Sequence, residues 1–263
     1  MLPPHSPHKG KKEIMPGVDN VRVFCFTSDI QMWCLRPYAW LHKKYWNAPV
    51  TVAGFTPPDF DLPNGFEFHS IGKFEDYPYY KWSDAVLKFL AGRGEEIFVY
   101  MMEDFWLTRA VDWKAINILQ DYMIKNPEVT RVDLSTDRLY GSGMRDYDSV
   151  DRIDLITNDL PVQYHLSLQA GLWRRSAMIK YLQAGESPHD AEIAGTQRMI
   201  DDRALVLGTR QFPVRYLIAV QQGKLTLDGG YQVPNPMFKK DDLLEMEEKG
   251  YLDPVRKEML EYA

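Results

Sequence analysis

Short runs of apolar, β-branched and aromatic residues recur along the chain and are typical of buried strands. The clearest is Ile97–Met102, which is apolar at every position, as a central strand covered on both faces would be. This run ends abruptly in Glu103-Asp104. The pattern predicts strands at 21–27, 49–55, 65–71, 97–102, 129–134, 162–168 and 214–220.

Segments with apolar residues at helical spacing lie between most of these strands. Ser83 and Asp112 are expected to cap two of the helices, because their side chains accept hydrogen bonds from free backbone N–H groups. Asp253 and Pro254 are expected to open the last one. Helices are predicted at 37–46, from 83 to the glycine at 92, and at 113–125, 174–183, 190–200, 241–249 and 253–262.

Strands alternating with helices predict an α/β fold, with a mainly parallel central sheet, right-handed crossovers and flanking helices. We expect a flexible lead-in over residues 1–20, one domain over 21–230 and a C-terminal helical extension over 231–263. Residues 136–160 are polar and show no regular period. A stretch of this length without structure is expected to be a binding loop or lid.

Charge and cysteine content narrow the class of protein. The chain has 263 residues, with 31 Lys and Arg against 37 Asp and Glu, for a net charge of −6. That balance argues against broad, non-specific binding of nucleic acid. No segment approaches the roughly 18 apolar residues of a membrane span, and the N-terminus lacks a signal-peptide core. Cys25 and Cys34 are too few for a secreted disulfide framework. A cytoplasmic protein with two reduced, buried thiols is predicted.

The ends of the predicted strands are the places to look for a ligand, because such sheets bind ligands beyond the carboxyl ends of their strands. Three places qualify: Thr27-Ser28-Asp29, Glu103-Asp104 and the residues after Leu168. Two carboxylates at the end of a buried strand repel each other and lose hydration, a cost that a divalent cation offsets. Mg²⁺ or Mn²⁺ there would carry the phosphates of a nucleotide. The alternative is an exposed acidic loop in which Asp104 caps a turn.

Two further segments carry groups that could react or bind. Asp190 and Glu192 lie at the start of a predicted helix, where a carboxylate could act as a general base toward a hydroxyl. The alternative is that they only favour the helix dipole. Gln169 and Trp173 follow the strand predicted at 162–168 and could bind a sugar by hydrogen bonding and stacking. The alternative is an ordinary strand that enters a helix with a packed Trp.

Other patterns do not point to chemistry. Asp59-Phe60-Asp61 and Asp146-Tyr147-Asp148 are D-x-D strings in Pro- or Gly-rich stretches, and neither follows a strong central strand. The chain has no G-x-G-x-x-G, no P-loop and no G-x-S-x-G motif, which removes the commonest dinucleotide, NTPase and hydrolase classes. Its six histidines are scattered, without zinc-ligand spacing.

Three segments together resemble nucleotide-sugar glycosyltransferases of the GT-A fold, in particular bacterial and phage-encoded enzymes related to capsule and lipopolysaccharide glycosylation. FVYMMEDFWLTRAVDWKAI resembles their strand, acidic pair and F-x-L segment. HLSLQAGLWRRSAMIKYLQAGESPHDAEIAG resembles their later block, with S-L-Q, a Trp, a helix and G-E-S-x-W-x-x-E. AVQQGKL resembles their closing strand and Gly-Lys turn. Order and spacing match over about residues 21–226.

The resemblance implies that the domain over 21–230 is a GT-A-like catalytic domain. It would transfer a sugar from a nucleotide-diphosphate donor to a hydroxyl, as in polysaccharide biosynthesis. Glu103-Asp104 would take the place of the acidic motif that binds Mn²⁺ or Mg²⁺ and the diphosphate. Thr27-Ser28-Asp29 would lie near the base and ribose, and Lys224 near the leaving diphosphate.

The later block implies the remaining roles. Glu192 matches its final acidic residue and is the implied base, with Asp190 in reserve; attack in line would then invert the anomeric centre. Gln169 and Trp173 would line the sugar or acceptor side. This chain departs from the pattern at His189, where the family has Trp, and in having Glu-Asp rather than D-x-D. Some GT-A enzymes work without metal.

Two alternatives stay open. A nucleotidyltransferase on a similar sheet would also use a carboxylate pair with Mg²⁺, but with a Gly-, Arg- or Lys-rich loop after the first strand, which TSDIQMWCLR lacks. A non-catalytic protein that binds nucleotide sugars or glycans is the other. The expected acceptor is a glycan or glycolipid; the acidic balance disfavours nucleic acid without removing it. A peripheral membrane location and a homodimer both stay open.

Overall fold

The computed structural model describes residues 21–221, 224–225 and 239–253. The strands are β1 (Val23–Phe26), β2 (Val50–Gly54), β3 (Phe66–Ser70), β4 (Ile97–Met102), β5 (Phe105–Leu107), β6 (Val129–Asp133), β7 (Met144–Val150), β8 (Ile153–Asn158), β9 (Gly171–Arg174), β10 (Leu205–Thr209), β11 (Tyr216–Ile218), β12 (Val220–Gln221) and β13 (Lys224–Leu225). The helices are α1 (Leu35–Tyr45), α2 (Trp82–Ala91), α3 (Trp113–Lys125), α4 (Asp137–Tyr140), α5 (Arg175–Tyr181), α6 (Pro188–Asp201) and α7 (Lys240–Glu248).

Nine strands form one sheet in the order β3-β2-β1-β4-β9-β6-β10-β8-β7. Strands β8 and β9 run against the others, so the sheet is mostly parallel, as predicted. Two small ribbons, β5 with β11 and β12 with β13, stand beside it. Helices cover both faces of the sheet, which confirms the expected α/β architecture.

Alternation along the central strands divides the core between the two faces. Val23 and Cys25 of β1 pack toward α1 and α3, whereas Phe24 and Phe26 pack toward α2, α5 and α6. On the second face Phe24 stacks on Phe98 of β4, with ring centroids 4.5 Å apart. Because β4 is buried on both faces it reads as an unbroken apolar run, and its end is fixed in position by both halves of the core.

The cysteines and the helical tail agree with the sequence in the described residues. Cys25 and Cys34 are free and buried, and burial raises the pKa of both thiols. Helix α7 lies where a tail helix was predicted. Its Asp242 accepts a hydrogen bond from Tyr45 at 2.5 Å and pairs with Lys44 at 2.9 Å, which joins the tail to α1. The helix predicted at 253–262 lies outside the described residues apart from its first position, as does the lead-in over 1–20.

The segment over 136–160, predicted to be an irregular loop or lid, is instead α4 followed by the hairpin β7–β8. Strand β7 is the edge strand of the sheet and most of its residues are exposed, so it carries no apolar alternation for a sequence pattern to detect. Ion pairs with neighbouring segments, rather than burial of apolar side chains, hold this strand in place. Arg145 pairs with Asp159 at 2.9 Å, and Arg210 of the loop after β10 pairs with Asp146.

Two other local predictions are wrong. Residues 162–168 are irregular, and the strand begins later, at Gly171. Ser83 does not cap α2; it lies in the first turn, and its hydroxyl accepts a hydrogen bond from the backbone N–H of Glu186 at 2.9 Å. Asp112 does cap α3, accepting from the backbone N–H of Ala115. No helix in the described ranges has the length and apolar character that crossing a bilayer requires.

A buried histidine predicts acid sensitivity of the fold. Burial lowers the pKa of His42 to about 3, and neither of its ring nitrogens has a hydrogen-bond partner in the described chain. As the pH falls, His42 is therefore protonated in the unfolded chain before it is protonated in the folded protein. His42 does not reduce the free energy of unfolding above about pH 6.5 and reduces it progressively below that pH. By pH 5 the loss is about 2 kcal/mol.

We expect His42→Phe, which keeps a ring against Trp46 and Phe66, to remove that part of the acid sensitivity. Urea denaturation of the wild type and the variant at pH 7 and pH 5 measures the difference. An equal loss of unfolding free energy in the two proteins would show that His42 is not its source.

Candidate functional site

The carboxyl ends of β1, β4 and β6 meet at one edge of the sheet because the three strands run in the same direction. Strand β9 lies between β4 and β6 and runs the opposite way, so it starts at this edge. The residues after β1, Glu103-Asp104 after β4 and the segment 165–170 before β9 are therefore neighbours. The predicted places of interest come together at one edge of the sheet.

A cavity of about 280 Å³ opens at this edge, between the end of β1, the acidic turn after β4 and the start of α6. Most of its wall is aromatic or aliphatic. Its non-aromatic polar residues are Thr27, Ser28, Gln31 and Glu103. The aromatic side chains in the wall are Phe26, Phe55, Phe74, Tyr77, Tyr79 and Trp82. Flat apolar walls with a few polar groups at one end suit a ligand with a planar ring and a polar tail.

Of the three residues predicted to lie near a nucleotide base and ribose, two line the cavity and one does not. Thr27 and Ser28 are in its wall. Asp29 turns away to the loop after β2, where it accepts hydrogen bonds from the backbone N–H of Thr56 at 3.0 Å and from its hydroxyl at 2.7 Å. Asp29 thus fastens the two loops together beside the cavity.

Glu103 and Asp104 are buried, with exposures of 2% and 6%, rather than forming an exposed acidic loop. Burial, followed by the neighbouring charge of Asp104, raises the pKa of Glu103 well above its usual range. Burial raises the pKa of Asp104 to about 7. Oε2 of Glu103 and Oδ1 of Asp104 have no hydrogen-bond partner among the described residues. Two buried, unpartnered carboxylate oxygens are the condition that a cation would relieve.

The residues present fit a divalent cation that is shared with a ligand. The described ranges contain no group of three or more His, Cys, Asp or Glu side chains able to hold a metal by themselves. Mg²⁺ in proteins is commonly held by one or two carboxylates, with phosphate oxygens and water as the other ligands. Glu103 and Asp104 could supply the protein's share of such a site.

Backbone hydrogen bonds hold the acidic turn in place. The carbonyl of Asp104 accepts from the N–H of Ala219 at 2.7 Å and of Trp106 at 3.1 Å. The indole N–H of Trp106 donates to the carbonyl of Glu103 at 3.2 Å. Strand β12 begins at the residue after Ala219 and pairs with β13, which carries the backbone of Lys224. The Lys224 side chain lies outside the described residues.

The structure separates the two candidate bases. Asp190 is exposed and forms a capping box with Ser187 at the start of α6, and these hydrogen bonds lower its pKa. Asp190 therefore stabilises the start of α6, which agrees with the alternative that it has a purely structural role. Glu192 is half-buried, and its Oε1 accepts a hydrogen bond from the backbone N–H of Leu168 at 2.8 Å. Burial raises the pKa of Glu192; the hydrogen bond from Leu168 opposes this rise, and the charge of Asp137 adds to it.

Glu192 lies at the same edge of the sheet as the acidic pair, because it bonds to Leu168 just before β9. Pro188, the first residue of α6, lines the cavity, and Glu192 lies one helical turn further on the same face. Burial, followed by the charges of Glu192, Glu103 and Asp104, raises the pKa of the buried Tyr100 phenol on β4. The charges of the predicted base and of the two predicted metal and diphosphate residues thus all act on the same phenol.

The structure places Gln169 and Trp173 differently from each other. Gln169 is half-buried, and its Oε1 accepts a hydrogen bond from the hydroxyl of Tyr216 at 2.6 Å. Trp173 is fully buried on β9, with the guanidinium of Arg131 5.4 Å from its ring centroid. It presents no surface on which a sugar could stack, because β9 is a central strand; this position fits the packed-Trp alternative.

Sequence reasoning missed a buried charged network at the end of β6. Arg131 donates to Oδ1 of Asp133 at 2.6 Å, and the backbone N–H of Arg138 donates to Oδ2 at 3.0 Å. Asp137 accepts from the hydroxyl of Ser167 at 2.6 Å. Together with Glu192 and Leu168, these bonds fix the segment 165–168 beside the acidic edge. The charged residues at 131 and 133, two apart in a strand of otherwise uncharged residues, were the available signal.

No family model matches this chain, and no curated protein matches it. Solved structures with a similar fold include CMP:2-keto-3-deoxy-manno-octonic acid synthetase complexed with CTP, at 12% identity, covering 72% of this chain and 88% of that one with a TM-score of 0.39. A cytidylyltransferase from Leptospira borgpetersenii serovar Hardjo-bovis matches at 11% identity over 87% of this chain and 94% of that one, with a TM-score of 0.43. These likenesses are too distant to carry an argument about the reaction, and they do not confirm the resemblance to GT-A glycosyltransferases.

Proposed function

We propose that this protein is a nucleotide-dependent transferase whose donor binds in the cavity at the carboxyl edge of the sheet. One observation carries the proposal: a single cavity joins an aromatic wall to a buried acidic residue whose Oε2 has no partner in the described chain. The base would lie against Tyr77, Trp82 and their aromatic neighbours. The phosphates would lie toward Glu103 and Asp104.

The group transferred is proposed to be a sugar. Glu192 supports this because a carboxylate with a raised pKa, one helical turn from the cavity, is suited to take the proton of an attacking hydroxyl. The acceptor oxygen bonds to the anomeric carbon as the bond from that carbon to the diphosphate oxygen breaks. The acceptor proton goes to Glu192, and the electron pair of the broken bond leaves with the diphosphate. Attack in line inverts the anomeric centre.

The leaving diphosphate needs its charge balanced, and the cavity wall contributes no Lys, Arg or His among the described residues. Glu103 and Asp104 would hold Mn²⁺ or Mg²⁺, and such an ion supplies charge neutralisation to the phosphate oxygens when bound. The chain's own part is to exclude water with the aromatic wall and to fix the acidic turn through Trp106 and Ala219.

Nucleotidyl transfer is the second candidate. The two structures of similar fold are a synthetase complexed with CTP and a cytidylyltransferase, and they show the fold alone. The observation in the chain itself is the carboxylate pair at the end of β4, which would serve a triphosphate bound with Mg²⁺ equally well. The lack of a cationic side chain in the described cavity wall weighs against it, because three phosphates carry more charge than two.

One product analysis separates the candidates. The full chain is incubated with Mn²⁺, methyl glycosides as acceptors, and either UDP-, GDP-, ADP- and dTDP-sugars or the nucleoside triphosphates. Sugar transfer releases a nucleoside diphosphate, whereas nucleotidyl transfer releases pyrophosphate. We expect the diphosphate from one sugar donor. Pyrophosphate instead would establish the second candidate, and nucleotide binding without either product would establish a non-catalytic binding protein.

The aromatic wall of the cavity predicts a moderate effect of removing one of its rings on nucleotide affinity. Tyr77 lines the cavity and stacks on Phe55 with ring centroids 5.7 Å apart. Stacking of a base on an aromatic side chain contributes about 1–3 kcal/mol, so Tyr77→Ala should weaken nucleotide binding by roughly tenfold or more. Competition binding with a fluorescent nucleotide measures it. Tyr147→Ala, which removes an exposed ring from edge strand β7, is the control; equal affinities in both variants would remove Tyr77 from the site.

A further inference from the structure

A second cleft, of about 500 Å³, lies between the segment 161–164 and one side of α6. Glu192 is part of its lining. The proposed base therefore borders this cleft and also lies one helical turn from the donor cavity. An acceptor has to reach that carboxylate from a side the donor does not occupy. The inference drawn from this position rests on the proposed function.

Arg138 fixes the wall formed by 161–164. The residue is 1% exposed, and its guanidinium Nη2 donates to the carbonyl of Tyr164 at 2.7 Å and to that of Gln163 at 3.2 Å. Its backbone N–H in turn donates to Asp133 at the end of β6. Charge-assisted bonds from a buried arginine to two successive carbonyls hold a segment in one conformation. This wall of the cleft is therefore formed before any ligand arrives.

Tyr164 has a backbone conformation that a bulky side chain disfavours. Its φ is 52°, in the left-handed region that bulky side chains seldom adopt. Its ring gains little burial in return, because 49% of the residue is exposed. Backbone strain of this kind persists where the surrounding structure imposes it, and it is concentrated at ligand sites. Tyr164 lines this cleft and also the neighbouring one on the other side of 161–164.

The rest of the lining is mixed: Pro161, Val162, Ile193 and Ile200 are apolar, and the polar side chains among them carry no positive charge. Gln163 and Gln197 contribute exposed amides, and the hydroxyl of Thr196 is anchored on the backbone of Leu166 at 3.0 Å. No Lys, Arg or His lines the cleft in the described part of the chain. Phosphate groups would find no cationic partner there, and the carboxylate of Glu192 would repel them. An uncharged ligand with many hydroxyl groups and an apolar ring face suits these groups.

We infer that this cleft is the acceptor subsite and that the acceptor is an uncharged sugar residue rather than a nucleic acid or a phosphorylated glycolipid headgroup. The sugar ring lies against Tyr164, its hydroxyls bond to the amides of Gln163 and Gln197, and the hydroxyl that attacks the donor meets Glu192. Tyr164 is then a specificity-determining residue of the transfer reaction.

Saturation-transfer NMR on the full chain tests the subsite with a panel of methyl α- and β-glycosides of glucose, galactose, mannose and N-acetylglucosamine. The protein is first saturated with the nucleoside diphosphate that gives the largest thermal shift. We expect a saturation-transfer signal from at least one glycoside. That signal should fall at least fivefold in Tyr164→Gly and be retained in Tyr164→Phe. Glycine adopts the left-handed conformation without strain, so the first variant removes the ring and not the fold.

Two further variants keep the test decisive. Gln163→Ala removes an exposed amide from the same wall and is expected to weaken glycoside binding at least threefold. Tyr140→Ala removes an exposed ring from the cleft on the other side of 161–164 and is expected to have no effect. The inference would be overturned by the absence of a saturation-transfer signal from every glycoside, by an equal signal in the wild type and Tyr164→Gly, or by a loss of signal in Tyr140→Ala alone.

The outcome also separates this inference from the proposed function. A nucleotide thermal shift without glycoside binding overturns the acceptor subsite and leaves the donor cavity standing. Glycoside binding that depends on Tyr164, without any nucleotide shift, overturns the proposed reaction and leaves a carbohydrate site.

Discussion

Glu192→Gln is expected to lower the rate of transfer roughly a thousandfold while leaving nucleotide affinity unchanged. General-base catalysis contributes about 10²–10⁴ in rate, and the amide cannot take a proton. Its oxygen can still accept the hydrogen bond from the backbone N–H of Leu168, so the segment before β9 keeps its position. The change therefore removes the chemistry and preserves the structure around it.

Single-turnover rates and nucleotide affinities of the wild type and the variant are the measurements. Asp190→Asn, two residues away on the same helix, is the matched control. It disturbs only the capping box with Ser187, at a cost of about 1 kcal/mol of stability, and should keep nearly full activity. Near-normal turnover in Glu192→Gln would show that another group accepts the proton.

Glu103→Gln is expected to have two opposite effects. It should weaken nucleoside diphosphate binding at least tenfold, about 1.4 kcal/mol, because the oxygen proposed to hold the cation loses its charge. It should also raise the stability of the ligand-free protein at neutral pH. Burial and the charge of Asp104 raise the pKa of Glu103 well above that of an unfolded glutamate. The ionised form is therefore favoured in the unfolded chain, and the stability present at acidic pH is lost as the pH rises.

Thermal denaturation with and without nucleotide and Mn²⁺ measures both effects in one experiment. Glu128→Gln, an exposed carboxylate just before β6 at the amino edge of the sheet, controls for the change in net charge. We expect a higher melting temperature without ligand and a smaller ligand-induced shift in Glu103→Gln only. A lower melting temperature without ligand would show that the carboxylate stabilises the fold and is not held there at a cost.

The sequence predicts the middle of the sheet better than its edges, for physical reasons. Strand β4 is buried on both faces, so its apolar run and the acidic pair at its end are visible without any knowledge of neighbours. The start of α6 is equally local, since Ser187, Pro188 and Asp190 make a helix beginning through contacts within four residues. Strand β7 is stabilised by partners far along the chain, such as Arg210 for Asp146, which no local pattern contains.

In the candidate site, too, the sequence predicts residues that local patterns mark and misses those that only the fold brings together. The sequence predicts Glu103 and Asp104 because they follow a strand that it shows, and it predicts Glu192 through the resemblance of its segment to a glycosyltransferase block. The aromatic wall is not found, because Phe55, Tyr77 and Trp82 come from separate segments that meet only when the sheet forms. The sequence leaves sugar stacking and core packing both open for Trp173 for a related reason: nothing in its own segment shows that β9 lies between β4 and β6.

The position of a bound nucleotide tests the central claim most directly. The full chain would be crystallised with Mn²⁺ and the nucleoside diphosphate that gives the largest thermal shift. We predict density for the base against Tyr77 and Trp82, with the phosphates beside Glu103 and Asp104. A nucleotide bound elsewhere on the protein, with this cavity empty, would contradict the assignment of the donor site and the reaction built on it.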